Sequence, residues 1–237
     1  KSNSLLEKLT QVEVMIEKLR GGLEKEGLRL EKKKPSKDKK DDAKADDKKD
    51  DKKSDKKDAI SIIAKTFDKN PSVNIVIGES GNRQKKLKRL ASYVFTKSLN
   101  REGAFLSNNR KGTALCFVSS RKGKILPELI EEIRFVLVLP FSNILSSLKR
   151  EKYIQEHRMK EKHLYFWFLG VEKGGNKAVF EIKDQIFQWS EKKKLPILLE
   201  TSVIRNKKVY ERYGFEVYHT WDDSGNGNAL WFMRRMP

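Results

Sequence analysis

The sequence predicts an α/β fold of the layered α+β kind, in which helices flank a mixed central sheet. Two segments carry this prediction. The segment "HLYFWFLGV" (163–171) is apolar at nearly every position, which is typical of a central strand covered on both faces. The buried segment "PILLETS" (196–202) follows after a helix of crossover length, so the two strands are expected to be parallel neighbours.

Composition divides the chain into three parts. Residues 1–30 have the pattern of an amphipathic helix, and residues 31–58 contain only Lys, acidic residues, Ala, Ser and Pro. Because residues 31–58 have no apolar surface to offset the entropy of ordering, they are predicted to form a disordered Lys/Asp linker. Residues 59–237 have the mixed composition of a folded domain, where a functional site is expected.

The folded part is strongly basic. The chain has a formal net charge of +19, and residues 59–237 hold 33 of its 52 basic groups against 18 acidic groups. This surplus suits an anionic ligand, a nucleic acid or an acidic protein, and charge alone does not choose among them.

The chain has one cysteine, Cys116, which lies inside the apolar run "TALCFV". One cysteine excludes an intramolecular disulfide framework and a CxxC metal site, so a reducing cytoplasm is the expected location and a small core residue the expected role. No apolar run approaches the roughly 18 residues of a membrane-spanning helix. We therefore expect a soluble, cytoplasmic protein that does not use a membrane.

A stripe of apolar residues near the start of the chain predicts a helix. Ser4 and Glu7 form a capping box in front of it. The stripe consists of Leu5, Leu9, Val12, Ile16, Leu19 and Leu23. Either this helix docks on the domain, or residues 5–23 form a coiled coil with a partner that the flexible linker tethers to the domain.

The first half of the domain is expected to contain helices and a hairpin. The segment "AISIIAKTF" (59–67) predicts a short helix, "SVNIVI" (72–77) a strand, and residues 84–99 a helix whose basic run faces solvent. The segments "GAFLS" and "TALCFVSS" predict a hairpin around the polar turn "NNRKG". Two helices, over 126–138 and 141–159, are expected to follow.

The second half is predicted to alternate strand and helix. After the strand 163–171 we expect a helix over 178–193, the strand 196–202, a helix over 206–213, and the closing strands "FEVYHTW" and "ALWFMRR". Alternation assigns the side chains of the first strand to two faces. One face would carry Leu164, Phe166, Phe168 and Gly170, and the other Tyr165, Trp167, Leu169 and Val171.

A turn with two glycines ends this central strand. Gly174, Gly175, Asn176, Lys177 and Ala178 lie where the strand ends and the next helix begins. Ligands of parallel sheets bind at this edge, and unpaired amides at a helix N-terminus favour an anion such as pyrophosphate. An ordinary glycine turn is the alternative interpretation.

The segment "LETSVIRNKKVYERYGF" (199–215) is more distinctive. A strand that ends in Glu-Thr-Ser, followed by Asn206 and by Tyr210 four residues before a Gly-Phe pair, resembles the closing half of the GNAT acetyltransferases. The resemblance extends over residues 59–237 and includes the strands "FLGV", "LPILLETS" and "LWFMRR", with a short first strand before them.

The resemblance implies an N-acetyltransferase that moves an acetyl group from acetyl-CoA to an amine by direct attack. The acceptor would be a small-molecule or a protein amine. The two parallel strands would part and admit the pantetheine arm, one strand amide would polarise the thioester, and the glycine turn would wrap the pyrophosphate. The residues implied in holding acetyl-CoA are Leu169, Gly170, Val171, Gly174, Gly175, Asn176, Lys177, Ala178 and Asn206.

Acetyl transfer also needs a base for the amine and an acid for the leaving sulfur. Tyr210 matches the position where the family commonly has a tyrosine that protonates the thiolate. Glu200, at the end of its strand, is our candidate for the base or for a group that positions the amine; Glu172 is the alternative, and water can serve in place of either.

The segment "GGNKAV" is shorter than the corresponding loop of the family, and Val179 stands where a second small residue is usual. This departure supports the alternative of a catalytically weakened GNAT-fold basic module that binds nucleic acid or an acidic partner. No metal is expected, because His157, His163 and His219 have no carboxylate or second histidine at ligand spacing.

Overall fold

The computed structural model describes residues 43–79, 81–222 and 229–237. The helices of these residues are α1 (Ala43–Thr66), α2 (Pro71–Ile77), α3 (Arg83–Asn100), α4 (Ile125–Val136), α5 (Phe141–His157), α6 (Asn176–Lys193) and α7 (Ile204–Arg212). The predicted helix over residues 5–23 and the linker up to residue 42 lie outside the described residues.

The strands form one mixed sheet in the order β1-β2-β3-β4-β6-β5. They are β1 (Ala104–Leu106), β2 (Gly112–Val118), β3 (Leu164–Val171), β4 (Ile197–Thr201), β5 (Glu216–Trp221) and β6 (Leu230–Arg235). β3 and β4 pair in parallel, and the other neighbours pair antiparallel. The predicted mixed sheet, the hairpin and the parallel central pair are confirmed.

Each face of the sheet is covered by a separate apolar cluster. On one face, which we call the α3 face, Leu115 of β2 and Phe168 of β3 pack with the buried sides of α1, α2 and α3. On the other face, the α6 face, Ala114 and Cys116 of β2 pack with Ile182 of α6. Cys116 is therefore a buried core residue, as the sequence predicted.

The predicted strand at residues 72–77 is wrong, because the segment is helix α2. The side chain of Asn70 caps this helix by accepting a hydrogen bond from the Val73 amide at 3.1 Å, and Pro71 occupies the first turn. Val73 and Ile77 are buried four residues apart, which is helical spacing. A good cap and Pro near the start outweigh the strand propensity of a short β-branched run.

The predicted boundary between linker and domain at residue 59 also needs correction. Helix α1 begins at Ala43 and crosses the boundary, so residues 43–58 are helical. Lys56 pairs with Glu131 at 3.2 Å, and Asp55 and Asp58 both pair with Arg110. Composition alone missed these partners, which come from distant parts of the chain and help to hold the charged end of the helix against the domain.

The predicted faces of β3 are wrong beyond Trp167, because the strand contains a β-bulge. Cys116 pairs with Phe166 while Leu115 pairs with Phe168, which leaves Trp167 as an extra residue. Trp167 and Phe168 consequently both lie on the α3 face, and Leu169 lies on the α6 face. A bulge bends its strand, and this bend lies where β3 leaves β4.

Candidate active site

The parallel strands β3 and β4 part soon after they meet. Their pairing consists of Leu164 with Ile197 and Tyr165 with Leu198. Beyond these residues β3 stays paired with β2 up to Val171, and β4 stays paired with β6 up to Thr201. The backbone groups of β3 that point towards β4 therefore face a gap. The predicted parting is confirmed and begins at Phe166, earlier than the sequence suggested.

A cavity of about 510 Å³ lies at this gap. Tyr93, Phe135 and Trp167 line it on the α3 face, whereas Leu169 and Tyr210 line it on the α6 face. The gap thus connects the two faces of the sheet. Such a passage can receive two molecules from opposite sides and bring their ends together.

Tyr210 lies in α7 beside the gap. Its ring packs against Phe215 at 5.5 Å and Phe166 at 6.4 Å between centroids. Burial, with a smaller contribution from Cys116, raises the pKa of Tyr210 to about 12, so the phenol keeps its proton at neutral pH. The hydroxyl makes no hydrogen bond to another described residue, which leaves it available to a ligand. Asn206, one turn earlier in α7, also lines the cavity.

Glu200 also lines the cavity, and its carboxylate is already engaged. It accepts hydrogen bonds from Arg158 Nε at 3.0 Å and from the Tyr165 hydroxyl at 2.7 Å. Only 6% of the Glu200 side chain is exposed. Both carboxylate oxygens of Glu200 are therefore occupied by donors from the chain itself.

The glycine turn has the geometry of an anion cradle. Gly174 has φ of +81°, and Gly175 is the N-cap residue of α6 without a side-chain cap. The amides of Asn176 and Lys177 donate no hydrogen bond to another described residue. A Cβ on Gly175 would lie 2.8 Å from Val171 Cγ1, so this position requires glycine. Unpaired amides at a helix N-terminus are a ready site for an anion.

Most of the residues that the resemblance implies in holding acetyl-CoA do not line the cavity. Leu169 and Asn206 do so, whereas Gly170, Val171 and residues 174–178 lie beyond its edge. Gly170 is small because α1 crosses it: a Cβ there would lie 2.7 Å from Thr66 Oγ1. Val179 does not line the cavity either, so it does not block the gap. Glu172, the alternative base, pairs with Lys65 at 2.8 Å.

Sequence reasoning missed several residues of the site. Lys111, at the end of the polar turn, packs against Gly175 and brings an ammonium to the cradle. Lys97 lies in the cavity, whereas the sequence pattern singles out only the solvent-facing basic run earlier in the same helix. Glu132 and Glu151 line the same cavity from two other helices. No local motif connects Lys97, Glu132 and Glu151, because their proximity arises only from the packing of α3, α4 and α5.

Two further observations concern other kinds of site. Among the described residues, no three His, Cys, Asp or Glu side chains come together as a metal site would need. His157 and His219 instead stack at 4.5 Å beside Tyr153. Within the same residues, no helix is both long and apolar enough to cross a membrane.

Solved structures with the same arrangement of strands and helices exist. The C-terminal condensation domain of Ebony, determined in complex with beta-alanyl-dopamine, matches with a TM-score of 0.54 at 12% identity, over 78% of this chain and 95% of that chain. The protein described as histone acetyltransferase HPA2 and related acetyltransferase, from Corynebacterium glutamicum, matches with a TM-score of 0.52 at 13% identity, over 78% and 92%. The chain has the GNAT fold.

No protein-family model matches the chain, and no curated protein matches its sequence. The GNAT fold is therefore recognised here through the structure, at an identity of 12–13%. Within this fold the gap between β3 and β4 and the residues Asn206 and Tyr210 of α7 line one cavity, and the glycine turn before α6 lies beyond its edge.

Proposed function

We propose that the protein is an N-acetyltransferase that moves an acetyl group from acetyl-CoA to a primary amine. The observation that supports this most is the parting of β3 and β4 after Tyr165, because it opens a cavity to both faces of the sheet. One solved structure of the same fold, that from Corynebacterium glutamicum, is described as an acetyltransferase, which favours this function over a basic interaction module.

In this proposal the glycine turn holds the pyrophosphate of acetyl-CoA. The free amides at the start of α6 and the positive φ of Gly174 allow the backbone to surround an anion. Lys111 and Lys177 add positive charge beside these amides. Asn206 lies at the cavity, from where it contacts the pantetheine arm. These residues therefore have the chemistry needed to hold the pyrophosphate and the pantetheine arm of acetyl-CoA.

The thioester lies in the gap, where chain groups support the reaction at both ends. A backbone amide within 169–171 polarises the thioester oxygen and stabilises the charge that develops on it. The amine nitrogen bonds to the carbonyl carbon, and the carbon–sulfur bond breaks. The Tyr210 hydroxyl gives its proton to the leaving sulfur and is reprotonated from water.

The amine must lose a proton before or during its attack. Glu200 and Glu172 are both in ion pairs, so we assign Glu200 the positioning role rather than the role of base. With Arg158 it fixes Tyr165, which forms part of the cavity wall. Water that reaches the exposed carboxylates of the cavity accepts the proton.

Replacing Lys177 with glutamate is expected to weaken acetyl-CoA binding about tenfold, or ~1.4 kcal/mol. The change puts a negative charge where the cradle would hold the pyrophosphate. Isothermal titration calorimetry with acetyl-CoA measures the effect. Lys192→Glu is the matched control, because it makes the same charge change on the exposed last turn of the same helix. Absent binding at millimolar acetyl-CoA, or equal losses in both variants, would overturn the proposal.

A further inference from the structure

The half of the cavity on the α3 face has a chemical character of its own. Tyr93 and Lys97 of α3, Glu132 of α4, Glu151 of α5 and Trp167 of β3 all line it. Its floor is aromatic, since the rings of Tyr93 and Trp167 meet edge to face at 5.8 Å. This is the side from which an acceptor would reach a thioester held in the gap.

An alkylammonium group already lies on this floor, supplied by the chain itself. The Lys97 ammonium is 5.1 Å from the centroid of the Trp167 ring and 5.3 Å from that of Tyr93. It donates a hydrogen bond to the Tyr93 hydroxyl at 3.1 Å. Among the described residues it forms no ion pair. Lys97 is thus a half-buried cation held mainly by the faces of rings, which attract cations of any source.

Two carboxylates face this same cluster. Glu132 makes no hydrogen bond or ion pair with another described residue, and Glu151 accepts one from the side chain of Gln155 at 2.9 Å. Both side chains are exposed at the cavity. Burial, and then the charges of Glu132, Glu151 and Glu128, raise the pKa of Tyr93. Glu132 and Glu151 therefore give this half of the cavity two carboxylates for the one ammonium of Lys97.

Arg150, the other cation that lines the cavity, is already engaged by neighbouring side chains. Arg150 is buried, donates to Ser72 Oγ at 3.1 Å and lies over the ring of Trp221. A carboxylate on the acceptor would therefore meet Glu132 and Glu151 without a free counterion on the described surface of the pocket. An apolar body, by contrast, would meet the side chains of Phe135, Leu139 and Leu148.

We propose that this pocket takes a primary alkylamine with an aromatic or apolar body and no anionic group. Its ammonium replaces that of Lys97 over Trp167 and Tyr93 and pairs with Glu132 and Glu151. Lys97 thereby acts as a built-in competitor that weakens acceptor binding. The proposal rests on the acetyltransferase function for its place in a reaction, but the binding it describes can be measured without turnover.

The test is calorimetric titration of the full chain with 2-phenylethylamine and with phenylalanine, which differ by one carboxylate, with and without CoA. We expect 2-phenylethylamine to bind at least about tenfold more tightly, because Glu132 and Glu151 repel the carboxylate of phenylalanine. Glu132→Gln should weaken 2-phenylethylamine binding about tenfold, the size of a lost charge-assisted contact.

The decisive variant is Lys97→Met, which keeps the stem and removes the ammonium. It should tighten 2-phenylethylamine binding, whereas Lys88→Met, on the exposed side of the same helix, should leave it unchanged. Weaker binding in Lys97→Met, equal or tighter binding of phenylalanine, or no binding of either ligand would overturn the pocket assignment. If acetyl-CoA fails to bind while 2-phenylethylamine binds as described, only the transferase proposal fails.

Discussion

Glu200→Ala is expected to lower the free energy of unfolding by about 4 kcal/mol, as removal of one partner from a buried ion pair typically does. Arg158 is 14% exposed and would keep a buried positive charge without its counterion. The Tyr165 hydroxyl, which donates to Glu200, would lose its acceptor. Urea unfolding followed by circular dichroism measures this change. Glu200→Gln should cost less, since its amide oxygen can still accept from Tyr165.

The matched control for this prediction is Glu211→Ala. Glu211 forms an exposed pair with Lys207 one turn away on α7, and such pairs contribute less than about 1 kcal/mol. A loss of under about 1 kcal/mol in Glu200→Ala would show that the carboxylate is not the anchor of this cluster. Glu200 would then be a candidate base again, and the assignment of its role would have to be reversed.

Tyr210→Phe is expected to lower kcat about 100-fold while the affinity for acetyl-CoA stays the same, because the hydroxyl acts on the leaving sulfur. The ring, which packs against Phe166 and Phe215, is retained. Since burial raises the pKa of this phenol to about 12, its ionisation should not lower the rate on the alkaline side of neutrality. Steady-state rates of thiol release and calorimetry with acetyl-CoA give the two quantities.

Tyr213→Phe provides the comparison, because Tyr213 lies one turn later, its ring contacts Phe187 and it does not line the cavity. Its kcat should equal that of the parent protein. If Tyr210→Phe keeps the parent kcat, or if both variants lose activity alike, the hydroxyl of Tyr210 is not the acid of the reaction.

The central strands could be predicted from the sequence because their signal is local. The long apolar run of β3, the crossover helix α6 and the glycines before it are visible as patterns, and so is the motif around Asn206 and Tyr210. These features predict that β3 and β4 are parallel neighbours and that β3 ends just before the glycine turn. They also put the candidate site at the edge of the sheet where β3 and β4 part.

The rest depends on contacts that no local pattern contains. Residues 72–77 have strand-like composition, and the cap from Asn70 decides for a helix. The bulge at Trp167 reverses the face of every following residue in β3, which strict alternation cannot foresee. The partner of Glu200 is Arg158, which lies 42 positions away in sequence. Ion pairs and pockets of this kind form only when distant helices pack.

The most direct test of the central claim is a crystal structure of the protein with acetyl-CoA. The claim is that the gap between β3 and β4 receives the arm that carries the acetyl group. We expect the pantetheine between the two strands beyond Tyr165 and Leu198, the pyrophosphate at the amides of Asn176 and Lys177, and the sulfur next to the Tyr210 hydroxyl. Strands that stay paired beyond Tyr165, or a ligand bound away from the gap, would contradict the account.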